Sequence, residues 1–373
     1  MKQLMKCLGG GGGGGHGDSD ASGDEGTLGK RVHALPALDG TEGYRSCTPG
    51  RYKGLLIGIN YRGTKAELKG CINDVHNIYS VLTERFGWHP NSLHVLTEDG
   101  TPPTHDNILR EMDWLAAGAA PGDTLFMAYS GHGSQQEDPE GFEEDGMNDT
   151  LLPLDFQRSG MVTDDIIFEK LVQRMPEGVS LTCIIDACHS GTAMDLPWKW
   201  VRHNNEWQEE TNPFFCRPDI CMISGCEDHA TSSDGGEDRY GRRGGALTTS
   251  LVEILTTTDP MHLTYDGLMD GLIESMKANS FKQRPQLSSM QPFDACTRLF
   301  APINLNNQYA TVVTTNRNPE MGRIFRKRFK AKPRPHGQND PLAQMLAESG
   351  MLPKVLEKNM DTICAVLAKA AKY

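Results

Sequence analysis

The chain has 373 residues, a formal net charge of -12 and 7% aromatic residues. This length is sufficient for one large domain or two small ones. No run of about 18 apolar residues occurs, which argues against a membrane span. The first residues also lack the apolar core of a secretory signal. We therefore expect a cytoplasmic protein.

The ten cysteines show no paired CxxC spacing, which is typical of a reduced, intracellular protein whose cysteines fill core volume. Cys216, Cys221 and Cys226 recur at a spacing of five residues. Zinc ligands normally pair about two to four residues apart. We therefore favour core packing over a metal site at these cysteines.

The charge is unevenly distributed. From Asn316 to Tyr373 there are 12 Lys and Arg against 5 Asp and Glu, a net of +7, so the preceding part of the chain carries -19. An acidic body favours basic peptides or a divalent metal and disfavours nucleic acid as a partner. The basic tail, residues 302–373, contains one short amphipathic helical pattern. It is either solvated or in contact with an anionic surface.

Residues 1–50 include an unbroken glycine run from Gly9 to Gly15 and few large apolar residues. Such a segment cannot bury enough surface to offset its ordering entropy, so we predict a disordered extension. A compact domain is predicted to follow at residues 51–301.

The elements of this domain are predicted from apolar runs and from helical periodicity. Strands are expected at Tyr52–Asn60, Ser92–Thr97, Asp123–Ser130, Val179–Ile185, Asp219–Ser224 and Arg284–Ser288. Helices are expected at Leu68–Gly87, Thr104–Gly118, Asp164–Met175, Ala246–Thr257 and Tyr265–Ala278. We interpret Ser134–Asp149 as an acidic loop, Thr150–Phe156 with Gly160–Thr163 as a small hairpin, and Trp198–Pro213 as a surface linker. The alternation of strands and helices predicts a parallel sheet with helices on both faces.

Two residues with catalytic potential follow predicted strands. Cys188 ends one apolar run, and His132 ends another between two glycines. A thiol with its ordinary pKa of about 8.5 needs a base or a cationic neighbour to act as a nucleophile. Because the carboxyl ends of parallel strands share one sheet edge, His132 could be that base. The alternative for a lone loop histidine is a surface residue. We place an oxyanion site at the N–H groups of Gly133 and Cys188.

The segments Tyr129–Gly133 (Tyr-Ser-Gly-His-Gly) and Asp186–Gly191 (Asp-Ala-Cys-His-Ser-Gly) resemble the His and Cys motifs of the type I metacaspases, which are caspase-like cysteine peptidases. A His-Gly pair followed later by a Cys would, on its own, also fit several related peptidase groups, including legumain-like and separase-like enzymes. Further motifs match in the family's order between Tyr52 and Phe300: Gly58–Tyr61, Leu68–Asp74, Ile223–Cys226, Gly244–Ala246 and Arg284–Ser288.

The resemblance implies an α/β, caspase-like three-layer sandwich with a mostly parallel central sheet flanked by helices. It divides the domain into a large-subunit-like part (51–195), a linker (196–218) and a small-subunit-like part (219–301). It also implies a monomeric endopeptidase in which His132 and Cys188 cleave after Arg or Lys through an acyl-enzyme. A role in stress response or regulated cell death is implied by the family.

Four residues match positions that line the family's substrate pocket: Asp74, Asp186, Ser130 and Cys71. Two carboxylates near the site can pair with the guanidinium or ammonium group of a basic side chain. The alternatives are a solvated helix carboxylate for Asp74 and an acceptor of main-chain N–H groups for Asp186.

The resemblance also implies activation by Ca²⁺, a role distinct from catalysis. The matching positions are Asn148, Asp164, Asp165 and Asp195, with Asp149 beside the first. Oxygen ligands suit a hard divalent cation, and an amide at the first position predicts weaker binding. The alternative is a helix N-terminus that uses Asp164 and Asp165 against its dipole.

Many relatives cut themselves, and accessible basic residues are candidate positions here: Lys30, Arg31, Lys53, Arg239, Arg242 and Arg243. The alternative to a peptidase is a non-proteolytic scaffold or aggregate-handling factor that acts through the extension and the basic tail. The presence of His132, Cys188, Asp74 and Asp186 favours the enzyme.

Overall fold

The structure is a computed structural model that describes residues 51–139, 143, 146–188, 190–209, 218–226, 244–281, 283–300 and 302, with the main chain of residues 31–33. The rest of the predicted N-terminal extension and the predicted basic tail beyond Pro302 lie outside these residues. No helix within the described ranges is long and apolar enough to cross a membrane.

Nine strands of the described residues form one sheet. Their bounds are β1 Arg31–His33, β2 Tyr52–Gly58, β3 Leu93–Thr97, β4 Thr124–Ser130, β8 Ser180–Asp186, β9 Trp198–Val201, β10 Glu206–Glu209, β11 Asp219–Cys226 and β12 Arg284–Ser289. Their order across the sheet is β1-β10-β9-β12-β11-β8-β4-β2-β3. Strands β11, β8, β4, β2 and β3 are parallel, whereas β12, β9 and β10 continue the sheet with antiparallel pairing. A second, small antiparallel sheet consists of β5 Gly133–Glu137, β6 Met147–Leu151 and β7 Val162–Thr163.

Helices cover both faces of the large sheet. The α-helices are α1 Cys71–Ser80, α2 His105–Ala116, α3 Phe156–Ser159, α4 Asp164–Lys170, α5 Ala246–Thr257 and α6 Tyr265–Ala278, and a π-helical turn Val81–Arg85 prolongs α1. One core cluster joins the sheet to α2 and α4 through residues such as Met112 and Phe168. The other joins it to α1, α5 and α6 through residues such as Val75 and Leu251. The predicted fold class, a mostly parallel sheet between helical layers, is confirmed.

Apolar residues at helical spacing form the buried face of each helix, as α2 shows. In α2, Ile108, Met112 and Leu115 are fully buried at helical spacing, and Thr104 caps the first turn by accepting a hydrogen bond from Asn107 N at 3.3 Å. The first helix begins at Cys71, later than predicted, because Leu68 N is already bonded to Asn60 O in the preceding loop at 2.7 Å.

The expected acidic loop at Ser134–Asp149 is largely wrong. Its two ends form β5 and β6, which pair from Gly133↔Leu151 to Glu137↔Met147. The hairpin is therefore formed by β5 and β6, one strand earlier in the chain than predicted, and β7 pairs with β6 as the third strand. Most polar residues of these strands are buried, with Ser134, Asn148, Asp149 and Thr150 between 1% and 4% exposed. They can lie in strands because hydrogen bonds satisfy them; Thr150 Oγ1, for example, donates to Ser134 O at 2.9 Å.

The predicted linker at residues 196–218 is also wrong over Trp198–Glu209. These residues form the hairpin β9–β10 at the side of the large sheet. Trp198 and Trp207 are each 1% exposed and Trp200 is 6% exposed, so the hairpin belongs to the core. Residues 210–217 of the predicted linker lie outside the described residues.

The predicted extension includes one strand. The main chain of Arg31–His33 forms β1, which pairs antiparallel with β10 from Arg31↔Gln208 to His33↔Glu206. The expectation that all of residues 1–50 is disordered is therefore wrong at this point. The free N–H and C=O groups of an edge strand provide the partner that so short a segment needs.

Candidate active site

His132 and Cys188 lie at equivalent positions beyond two neighbouring strands. β4 and β8 pair in parallel, and their last residues, Ser130 and Asp186, are register partners. His132 and Cys188 each follow two residues later, at the same carboxyl edge of the sheet. Gly131 N donates to Asp186 O at 3.3 Å and ties the two loops together. Both candidate residues are 8% exposed, so each is buried.

The imidazole of His132 is oriented by the loop that follows β2. Its Nε2 lies 2.8 Å from Ala66 O. A carbonyl oxygen only accepts hydrogen bonds, so Nε2 carries the hydrogen and Nδ1 is the basic nitrogen of the neutral ring. The ring also packs against Tyr61, with 4.7 Å between ring centroids. His132 therefore has one defined tautomer with a basic nitrogen for proton transfer.

Gly133 lies where the main chains of the two loops nearly touch. A Cβ added to Gly133 would be 2.0 Å from Cys188 O, a distance that no side chain tolerates. Leu152 N donates to His132 O at 3.1 Å, so His132 and Leu152 are a hydrogen-bonded pair of the antiparallel ladder. The adjacent register pair, Gly133 and Leu151, is then a non-hydrogen-bonded pair. The Gly133 N–H is therefore not used in the β5–β6 ladder.

The loop after Cys188 is held by hydrogen bonds to its own main chain and to the sheet. Ser190 Oγ donates to Ala187 O at 2.9 Å. Gln286, on β12, donates from Nε2 to Gly191 O at 2.9 Å. Cys188 therefore lies in a hydrogen-bonded turn between β8 and β9.

The structure brings Asp74 and Asp186 together beside this turn. Gly245 N lies 2.9 Å from each Asp74 oxygen, and a Cβ added to Gly245 would be 2.2 Å from Asp186 Oδ2 and 3.0 Å from Asp74 Oδ2. Ser130 Oγ donates to Asp74 Oδ2 at 2.6 Å, and Thr248 N donates to Asp186 Oδ2 at 2.8 Å. Three of the four predicted pocket residues thus form one cluster.

This carboxylate pair is buried. Asp74 is 0% exposed and Asp186 is 7% exposed. Burial raises the pKa of Asp186, and the hydrogen bond from Thr248 N opposes this rise. A Cβ added to Gly225 would lie 3.7 Å from Gln283 Nε2 and 3.8 Å from Asp186 Oδ1, so both side chains border Gly225. The buried Oε1 of Gln283 accepts no hydrogen bond from the described residues. A region so rich in acceptors suits a cationic group with several N–H donors.

Cys71 takes a different position from the other three pocket candidates. It is the first residue of α1 and is buried. Burial raises the pKa of Tyr129, and the nearby Cys71 thiol raises it further. The thiol of Cys71 therefore lies close to the tyrosines behind His132.

A second carboxylate cluster lies at the small sheet. Glu143, Asp164 and Asp195 each offer an oxygen within 4.8 Å of the others. Burial, reinforced by mutual repulsion, raises the pKa of Asp164 and Asp195, and burial raises the pKa of Glu143 to about 8. Neither oxygen of Asp195 has a hydrogen-bond partner among the described residues. Ca²⁺ takes oxygen ligands at about 2.3–2.6 Å, so this donor set fits the predicted ion.

The other predicted calcium ligands surround this cluster and have partners of their own. Asn148 Nδ2 donates to Asp165 Oδ2 at 2.9 Å. Asp149 accepts from Thr192 N at 3.0 Å and from Thr192 Oγ1 at 2.8 Å. The alternative role at a helix start is also visible, because Asp164 Oδ1 accepts from Asp165 N at 2.8 Å in the first turn of α4.

The candidate self-cleavage positions are only partly described. Lys53 lies inside β2, paired with Leu125 of β4, and its ammonium group donates to main-chain oxygens at the end of α2. A peptidase needs its substrate chain in an open, extended segment, so the expected accessibility of Lys53 is wrong. Arg31 lies in β1. Lys30, Arg239, Arg242 and Arg243 lie outside the described residues.

Sequence reasoning missed several residues that the structure adds to these sites. Tyr61 and Tyr129 contact His132, and Gln283 borders Gly225 as Asp186 does. Glu143 joins the acidic cluster. A signal existed only for Tyr61 and Tyr129, which belong to the quoted motifs; Glu143 is one of several equivalent carboxylates in its segment.

Comparisons with known proteins agree with the sequence motifs. Residues 52–197 match the family model of the metacaspase peptidase C14 domain. Metacaspase-1 of Saccharomyces cerevisiae is 34% identical over 316 residues, covering 71% of this chain and 72% of the yeast protein. Metacaspase-1 of Yarrowia lipolytica is 35% identical over 312 residues, covering 69% and 66% respectively.

Solved structures also align with the chain. Caspase-1 from Spodoptera frugiperda aligns with a TM-score of 0.45 and 14% identity, covering 73% of this chain and 97% of that protein. A protein of Geobacter sulfurreducens aligns with a TM-score of 0.49 and 20% identity, covering 71% of this chain and all of that protein. The identity to the curated relatives, rather than these alignments, assigns the family. The chain belongs to the metacaspases, a family of cysteine peptidases.

Proposed function

We propose that this metacaspase is an endopeptidase that cleaves after Arg or Lys, with Cys188 as nucleophile and His132 as general base and acid. The observation that supports this specificity is that the carboxylates of Asp74 and Asp186 both lie against Gly245. Asp186 is also only two residues before the proposed nucleophile, Cys188. Buried carboxylates recognise guanidinium and ammonium groups, whereas they repel an acidic side chain.

The proposed reaction follows from the groups at the sheet edge. His132 Nδ1 takes the proton of the Cys188 thiol, and the resulting thiolate attacks the substrate carbonyl carbon. The N–H groups of Gly133 and Cys188 stabilise the negative oxygen that forms. His132 then returns the proton to the leaving amine. Water hydrolyses the acyl-enzyme in a second step, with His132 as base.

Activation by Ca²⁺ is the second part of this proposal. Glu143, Asp164 and Asp195 would hold the ion, which supplies positive charge to a buried acidic cluster. The support is the all-oxygen donor set together with the two Asp195 oxygens, which have no hydrogen-bond partner in the part of the chain that the structure describes. Self-processing, a cytoplasmic location and a role in stress response or regulated cell death stay predictions.

The test is hydrolysis of fluorogenic peptides that end in Arg, Lys or Asp, with and without Ca²⁺. We expect cleavage of the Arg and Lys peptides at least about 10³-fold faster than cleavage of the Asp peptide. The Cys188→Ala variant is the control and should cleave none of them. Cleavage after Asp alone would contradict the specificity. No cleavage by the wild type under any condition would favour the scaffold alternative.

A further inference from the structure

Two buried tyrosines hold the main chain of His132. Tyr61 follows β2, and Tyr129 is the penultimate residue of β4. His132 N donates to the Tyr61 hydroxyl at 3.1 Å, and the Tyr129 hydroxyl donates to His132 O at 2.7 Å. Both polar main-chain atoms of the proposed catalytic base therefore contact a tyrosine hydroxyl. Both tyrosines are almost completely buried, so water does not compete for these contacts.

The Tyr61 hydroxyl occupies the place of a missing ladder bond. Beyond the pair Gly133↔Leu151, the next pair, His132 and Leu152, should exchange two main-chain hydrogen bonds. One of them is direct, from Leu152 N to His132 O at 3.1 Å. For the other, Tyr61 accepts from His132 N and donates to Leu152 O at 2.6 Å. The hydroxyl thus sets how far His132 stands from β6.

The same loop also fixes the imidazole ring. Ala66, five residues after Tyr61, supplies the carbonyl that binds His132 Nε2 at 2.8 Å. Tyr61 itself has a φ of 51°, in the left-handed region that non-glycine residues seldom adopt. Its carbonyl accepts a hydrogen bond from Thr64 Oγ1 at 2.8 Å, which helps to hold that conformation. Unfavourable backbone conformations persist where the surroundings require them, and they are concentrated at functional sites.

We propose that Tyr61 and Tyr129 are positioning residues that place His132 Nδ1 for proton transfer with Cys188. Neither tyrosine is expected to touch the substrate, and the proposal rests on the His132–Cys188 dyad proposed above. Proton transfer is sensitive to small displacements of the base. Loss of the Tyr61 hydroxyl removes the hydrogen bond at His132 N, and loss of the Tyr129 hydroxyl leaves His132 O with Leu152 N as its remaining donor. In either variant the loop relaxes and Nδ1 moves.

The variants Tyr61→Phe and Tyr129→Phe test this proposal, because each removes one hydroxyl and keeps the ring. Tyr265→Phe is the matched control: its hydroxyl is equally buried but lies near Cys221. For each protein, kcat and KM are measured with an Arg peptide. The alkylation of Cys188 by iodoacetamide is followed against pH by mass spectrometry, with the exposed Cys296 as internal reference.

We expect kcat to fall about tenfold or more in both test variants, with KM within about twofold of the wild type. The pH midpoint of Cys188 alkylation should rise by about one unit, because a displaced imidazolium stabilises the thiolate less. The control should change neither quantity. A tyrosine that only supports the fold would lower the melting temperature without moving the midpoint.

A folded Tyr61→Phe protein with wild-type kcat and an unchanged midpoint would overturn the proposal. If that variant does not fold, Tyr129→Phe decides by the same criteria, and failure of both to fold would assign the hydroxyls to the fold alone. Alkylation needs no substrate, so it tests the dyad and the positioning tyrosines separately from the proposed specificity for Arg or Lys. A wild-type midpoint near the ordinary thiol value of about 8.5 would remove the dyad and this inference with it. A low midpoint without cleavage of Arg or Lys peptides would contradict only the specificity.

Discussion

Two glycines of the site occupy positions where a methyl group has no room. A Cβ on Gly133 would press on Cys188 O, and a Cβ on Gly245 would press on the Asp186 carboxylate. Gly245 has ordinary extended angles, with φ at -65°, so its role is close approach rather than an unusual conformation. At Gly245 the close approach lets the main-chain N–H donate to Asp74, and at Gly133 it would serve the proposed oxyanion donor.

The variant Gly133→Ala should therefore lose activity. The methyl group would push the His132 loop away from Cys188 and displace a proposed oxyanion donor, so kcat should fall by about 10²-fold to 10³-fold. Gly100→Ala is a suitable control, because its Cβ would meet Thr97 Oγ1 at an ordinary 3.5 Å. Steady-state kinetics with an Arg peptide measure both. Wild-type kcat in Gly133→Ala would show that the two loops do not need this close approach.

At this scale the sequence identified residues whose role is set by their place at a strand end. His132 and Cys188 follow apolar runs directly, so their common edge could be predicted. Tyr61 could not be assigned a role in the same way, because its partners His132 and Leu152 lie 71 and 91 residues away. Glu143 was missed for another reason. Its segment holds several carboxylates, and only the fold determines which of them reaches Asp164 and Asp195.

The hairpin β9–β10 is an element that the residue pattern did not predict, although its tryptophans are buried. Each strand has four residues, too few to show a clear period of alternation among many polar neighbours. Yet Trp198 and Trp200 are two residues apart and buried, and Trp200 is the register partner of Trp207. Longer elements with full periods, such as α5 and α6, could be predicted to their ends.

The hairpin should contribute strongly to stability. Trp207 packs on Phe293 with 4.9 Å between centroids, and its Nε1 donates to Phe293 O at 2.6 Å. Trp207→Ala should lower the free energy of unfolding by about 3–5 kcal/mol, because it leaves a cavity and an unpaired carbonyl. Urea denaturation measures this loss. His203→Ala, in the exposed turn of the same hairpin, should change it by less than about 0.5 kcal/mol. Equal effects of the two variants would place the hairpin outside the core.

For the molecule as a whole, the proposed calcium ligands come from distant segments that also carry the dyad. Asp195 follows Cys188 by seven residues. Asp164 accepts from Asp149 N at 2.6 Å, and Asp149 lies on β6, the partner of the strand that begins just after His132. The chain carries a net charge of -12, so a cation at this cluster also relieves repulsion within the body. Ion binding would therefore stabilise the arrangement of both loops.

Calcium should accordingly raise both stability and activity. At a concentration of about 100 times Kd, an ion that binds only the native state adds about 2.7 kcal/mol, which for a domain of this size corresponds to roughly 5–10 °C in Tm. Thermal denaturation and Arg-peptide hydrolysis, with EDTA or with millimolar Ca²⁺, measure the two effects. Mg²⁺ should substitute poorly, because it requires a smaller and more rigid octahedral site.

The variant Asp195→Asn separates an ion site from a group of carboxylates that merely happen to be close. It replaces a carboxyl group whose charged form is destabilised by burial and by the neighbouring carboxylates with a neutral amide, so Tm in EDTA should rise. The increments produced by Ca²⁺ should disappear in the same variant, because a ligand is lost. Asp106→Asn changes a carboxylate whose side chain is 97% exposed and should leave every value unchanged. An undiminished calcium response in Asp195→Asn would place the ion elsewhere, and no response in the wild type would remove calcium activation.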